Sequence, residues 1–124
     1  MTINEVLSLV KEIRPESTYT QEQLIRWLSE LDGMVFTEIL SRHSNASIDK
    51  FEGYGSENLN DSLLIPFPYD EAYSLWLCSK MDYYNEEITL YNADIALFNA
   101  TYTAFEKYYT RNNMPLDKAK KFKF

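Results

Sequence analysis

The chain has 124 residues, one cysteine and a formal charge of −7, and 45% of its residues are hydrophobic and 15% aromatic. That length suits one domain with a moderate core that folds without staples. A single thiol excludes an internal disulfide and a Cys-rich metal site, and the apolar runs are too short to span a membrane.

With only three Gly and four Pro, the composition favours long helices over a many-stranded sandwich. The start, Met1 to Glu5, lacks the basic and apolar stretches of a signal peptide, so a soluble intracellular product is expected. Thr2 and Glu5 fit a capping box, in which each residue satisfies a backbone amide of the other. Ile3, Val6, Leu7, Val10 and Ile13 then form a helical stripe that Pro15 ends. Thr20 and Gln23 repeat the signal ahead of a second stripe: Leu24, Trp27, Leu28, Leu31, Val35 and Ile39. Gly33 interrupts it, at about 1 kcal/mol against Ala, and is expected to allow a close helix approach or a bend.

Residues from about Arg42 to Phe67 carry no helical period and are too many for an ordinary connection. They are expected to form either a short β-hairpin or a functional loop, with Gly53–Tyr54–Gly55 as a turn and Leu63–Leu64–Ile65 extended. A third helix is expected near Pro68, with Asp70 and Glu71 at its positive end and Ala72, Tyr73, Trp76, Leu77 and Met81 on its apolar side. Asn85 suits a left-handed stop. A fourth helix, about Glu87 to Arg111, carries a stripe at spacings of three and four: Ile88, Tyr91, Ile95, Phe98, Tyr102, Phe105 and Tyr109. A short join makes the last two helices antiparallel neighbours. The expectation is thus an all-α, four-helix bundle-like domain over 1–111. A basic C-terminal tail, 112–124, is expected to be mobile until docked.

Charge is unevenly placed. Residues 1–116 hold eight Lys or Arg against eighteen Asp or Glu, whereas 117–124 hold four Lys against one Asp. The acidic body argues against nucleic acid as the main ligand. Catalytic signals are weak throughout. His43 is the only imidazole and reads as an exposed loop residue, Cys78 reads as a packed core thiol, and the pairs Asp70–Glu71 and Glu86–Glu87 sit where helix starts favour negative charge. The three glycines form no phosphate loop. No catalytic, metal or cofactor site is expected, and no enzyme. Tyrosines off the main stripes suit half-wet contact surfaces instead. The candidate protein-interface residues are Phe51, Tyr54, Tyr83, Tyr84 and Tyr108, with Lys118, Lys120, Lys121, Phe122, Lys123 and Phe124 of the tail.

The segment Leu63 to Arg111 resembles the head–tail connector (head-completion, adaptor) proteins encoded in the structural-gene clusters of phages and prophages of Gram-positive bacteria. The likeness is carried by Leu63-Leu64-Ile65-Pro66-Phe67-Pro68-Tyr69-Asp70, Tyr73, Met81-Asp82, Glu87, Tyr91-Asn92, Leu97-Phe98-Asn99, Tyr102, Phe105, Tyr109 and Arg111. The N-terminal part, with Pro15 and the helix holding Trp27 and Glu38, matches more loosely. Such proteins often have Gly where this chain has Asn85-Glu86, and the basic tail is outside the pattern. The resemblance implies a structural virion component at the head–tail interface, assembled in the host cytoplasm. Its implied partners are the portal protein, a further connector or tail-completion protein, and copies of itself in a ring, with DNA only as passing channel content. A second reading stays open: a small acidic phage-encoded regulatory module that inhibits a host protein.

Overall fold

The structure, a computed structural model, describes residues 1–43 and 50–113. The tail residues from Lys118 to Phe124 lie outside the described residues, as does the part of the long loop over 44–49. Four α-helices form the fold: α1 (Ile3–Ile13), α2 (Gln21–Glu38), α3 (Glu71–Tyr84) and α4 (Ile88–Asn112). The all-α, bundle-like class follows, with α3 as the central element: α4 lies along it, and α2 and α1 pack on it as well.

Both capping boxes form. Thr2 Oγ1 accepts from Glu5 N at 3.2 Å while Glu5 Oε1 accepts from Thr2 N at 2.8 Å. Thr20 and Gln23 make the same pair of bonds at the head of α2. The α1 and α2 stripes bury Ile3, Val6, Val10, Leu28, Leu31 and Val35 almost completely. Ile13, the last residue of α1, departs from its stripe and is 44% exposed.

Gly33 is not a point of close approach: a Cβ built there meets no atom within 4 Å. Its place in mid-α2 therefore carries only the backbone-entropy penalty of glycine. Gly33→Ala is expected to raise the unfolding free energy by about 0.5–1 kcal/mol, read from the urea midpoint at unchanged m-value.

The long loop is irregular over its described residues. Among the described residues it holds no hairpin, only a short 3-10 turn at Ser56–Asn58 and one antiparallel bridge between Ser62 and Thr2. Its backbone instead closes the N-terminus of α1. Asp61 O accepts from Ile3 N at 3.2 Å, Leu59 O from Asn4 N at 2.9 Å, and Met1 O from Leu63 N at 2.9 Å. First-turn amides have no partner within a helix, so the loop is held by the donors α1 cannot satisfy. Leu63 and Ile65 then enter the core. Gly53 takes φ 102, a conformation glycine adopts without strain.

The third helix begins at Glu71, three residues after Pro68, because Pro68 lies inside a turn over Pro66–Tyr69 that Tyr69 N closes by donating to Pro66 O at 2.8 Å. The left-handed residue of the α3–α4 turn is Glu86 (φ 60), whereas Asn85 has φ −86. Along α4, Phe98 and Phe105 are buried, and Tyr91, Ile95, Tyr102 and Tyr109 are half-buried. Ile88, at the head of the α4 stripe, is 60% exposed. The inner rings interlock: Trp76 meets Phe98 at 5.1 Å, and Phe98 meets Tyr102 at 5.6 Å. The opposite face of α4 carries Leu90, Ala93, Leu97, Ala100 and Ala104, all exposed.

Candidate interaction surface

Two buried polar networks hold the helices in place. Asp32, fully buried on α2, accepts hydrogen bonds from Tyr73 Oη at 2.6 Å, Leu64 N at 3.1 Å and the Tyr54 hydroxyl. Tyr73 Oη in turn accepts from Ile65 N at 2.6 Å. Burial raises the Asp32 carboxyl above its ordinary range, and the two tyrosines and the Leu64 amide oppose that shift. The second network joins α1, α3 and α4: Arg14 forks to Asp82 at 3.2 Å and to Asp94 at 3.0 Å. Burial, with Asp82 beside it, pushes Asp94 up to about 6, and Arg14 opposes the shift. No buried side-chain N or O atom among the described residues lacks a partner. Both networks are closed and serve packing.

Cys78 and His43 are also packed. Cys78 is buried, and desolvation pushes its thiol up to about 11. His43 is half-buried, not exposed, because its Nδ1 donates to Ile39 O at 2.7 Å and its ring meets Tyr109 edge-on at 5.0 Å.

What remains open is aromatic. The C-terminal half of α3 and the first half of α4 enclose a cleft of about 300 Å³ lined by Trp76, Lys80, Tyr83, Tyr84, Tyr91 and Ile95. Trp76 is fixed by donating from Nε1 to Trp27 O at 2.8 Å. Lys80 lies over the Trp76 ring, 4.9 Å from its centroid, and pairs with Glu30 at 3.5 Å. Tyr83 and Tyr84 meet edge to face at 5.2 Å, and Tyr83 also touches Tyr91 at 5.7 Å. Tyr84 stacks on Trp27 at 5.8 Å and forms the wall between this cleft and a second one of about 230 Å³, lined by Tyr19, Gln23, Arg26 and Trp27. Tyr19 is fixed by its hydroxyl donating to Asn85 Oδ1 at 3.0 Å. Six rings thus form one continuous surface at the turn between α3 and α4. Rings with an apolar body and a polar tip are the side chains that half-wet interfaces use.

The sequence-predicted interface residues fall in three places. Tyr83 and Tyr84 belong to this surface and are 57% and 56% exposed. Tyr108 is exposed toward the far end of α4, against Tyr69 at 5.2 Å. Phe51 lies on the loop, edge-on to Tyr54 at 5.0 Å, and the Tyr54 hydroxyl is committed to Asp32. Sequence reasoning did not single out Trp76 and Tyr91, which are half-buried, because each also belongs to a core stripe; Trp27 is buried, as its stripe predicts. It also passed over Phe67, the most exposed large hydrophobic among the described residues at 83%. A ring between two prolines, outside any periodic stripe, was the signal for it.

Compared with known proteins, the chain matches no family model, no curated protein sequence and no solved structure.

Proposed function

We propose that the protein is a structural virion component, a head–tail connector that docks on a portal, self-associates into a ring and extends the DNA channel toward the tail. The resemblance carried by Leu63 to Arg111 supplies the class. The observation that carries the assembly reading is apolar surface left uncovered on an acidic domain: Leu97 on the outer face of α4, Phe67 ahead of α3, and Tyr83 and Tyr84 at their turn are each more than half exposed. At the turn these tyrosines join Trp76, Tyr91 and Ile95 in one contiguous cleft, and contiguous apolar surface marks contact with other proteins. The negative body provides few phosphate contacts, so DNA passes through the channel without being held. The protein performs no chemistry of its own in this role.

The test is co-expression with the cognate portal, followed by light scattering and negative-stain imaging. Rings of the protein seated on the portal are expected. A strict monomer that ignores the portal overturns the reading. Retrieval of a host enzyme from lysate, with no portal binding, replaces it with the host-inhibitor alternative.

A further inference from the structure

We infer that the outward face of α4 docks on the same face of a second copy of this chain, the two helices packing antiparallel about a two-fold axis. The inference goes beyond the reading above: it concerns the free protein and a contact that a ring does not supply.

The outward face has a period of its own. Leu90, Ala93, Leu97, Ala100 and Ala104 recur at spacings of three and four on the side of α4 opposite Phe98 and Phe105, and all five are exposed. Lys107 and Arg111 continue the spacing at one end and Glu86 at the other, and these are exposed too. That is the seam pattern of a coiled coil. Leu90 is 44% exposed and Leu97 56%. From Ile88 to Phe105 the one charged residue is Asp94, and Arg14 holds it at 3.0 Å. A helix surface that faces water ordinarily carries charge, and this one carries no free charge over about five turns.

The face fits itself. In an antiparallel pair with the two-fold midway between positions 98 and 99, Leu97 packs on Ala100 of the other copy and Ala93 on its Ala104. Leu90 then packs on the aliphatic stem of the other copy's Lys107. Each leucine meets a small or flexible partner, and the alanine layers let the helix axes approach to roughly 8 Å. Charge selects the direction. Glu86 and Glu87 stand at the head of α4, and Lys107 and Arg111 at its end. Antiparallel packing sets Glu86 against Arg111 of the other copy at both ends of the seam, whereas parallel packing sets like charges together. Glu106 precedes Lys107 but lies off the seam. The same patch on both copies makes the contact isologous, so it closes at two copies, whereas a ring needs head-to-tail contacts. The pair is therefore the state of the free protein, and docking on a portal is a separate equilibrium.

The first measurement is sedimentation equilibrium of the full chain, and a dimer is expected. A protein that stays monomeric at about 1 mM overturns the inference. Leu97→Glu, at an exposed position, is expected to weaken pairing about tenfold or more, with circular dichroism as the folding control. Arg111→Glu is expected to weaken it less, and Glu86→Lys added to the same chain to restore it, which only the antiparallel direction allows. Oxidative cross-linking reads the register. Ala93→Cys mixed with Ala104→Cys is expected to give a disulfide-linked pair, and neither variant alone is expected to do so. Cys78 is buried, and the wild-type chain is the control for it. A dimer indifferent to Leu97→Glu, or an Ala93→Cys variant that cross-links to itself, overturns the inference. Portal binding is scored separately. Portal rings built from a strictly monomeric protein leave the connector reading in place and overturn this one, and a dimer of this register that ignores the portal does the reverse.

Discussion

Asp32→Ala is expected to lower the unfolding free energy by about 3–5 kcal/mol, a large part of the margin of a domain this size. The substitution leaves two tyrosine hydroxyls and the Leu64 amide without their acceptor in a site closed to water. Tyr73 comes from α3, Tyr54 from the long loop and Leu64 from the run into α3, so one carboxylate joins three segments to α2. Asp32→Asn is expected to cost less, about 1–3 kcal/mol, because the amide oxygen still accepts from one side while its NH2 group faces a donor on the other. The carboxyl binds its proton more tightly in the folded chain than in the unfolded one. The proton-linked part of its contribution is therefore full below the unfolded value near 3.8 and is lost as pH rises through the higher folded value, while the hydrogen bonds it accepts persist. Urea unfolding followed by tryptophan fluorescence checks both variants. An unchanged midpoint for Asp32→Ala would mean that the network contributes nothing to stability.

Arg14→Ala is expected to cost a similar amount, about 3–5 kcal/mol near neutral pH, because it strands the buried Asp82 carboxylate beside Asp94 with no cation between them. Arg14→Lys is expected to recover only part of the loss, since an ammonium cannot fork to two carboxylates as a planar guanidinium does. The pH dependence identifies the cause. Desolvation and the Asp82 carboxylate hold Asp94 up at about 6 in the folded protein, against 3.8 without them. Its stabilising contribution is thus complete below about pH 4 and disappears as pH rises through about 6. Removing Arg14 removes the one group that opposes this shift, so the variant's deficit is expected to shrink markedly at about pH 5, where one carboxyl of the pair takes up a proton. Equal deficits at the two pH values would assign the loss to packing of the arginine stem instead.

Helical periodicity gave neither Asp32 nor Asp82 a structural role. Asp32 directly follows Leu31 of the α2 stripe, and Asp82 directly follows Met81 of the α3 stripe. A single acidic residue beside an apolar stripe reads as part of a solvated face. Asp32 becomes the centre of a network only because Tyr54, 22 residues on, and Tyr73, 41 residues on, arrive at the same point. The long loop was legible as an exception to helical periodicity, but its task of closing the start of α1 depends on backbone amides that carry no side-chain signature. The cleft was half legible. Tyr83 and Tyr84 stood out as off-stripe rings, whereas Trp76 and Tyr91, members of core stripes, line the cleft because the turn at Asn85–Glu87 sets α3 and α4 side by side.

The sequence by itself determined the four helices, their capping boxes and the inner face of α4. Those features depend on contacts within one or two turns, and periods of three and four residues encode them directly. Only the tertiary structure decided which carboxylates are buried, where the loop is anchored and which rings stay in water. Each of those outcomes is set by which distant segment arrives to satisfy a donor or cover a ring.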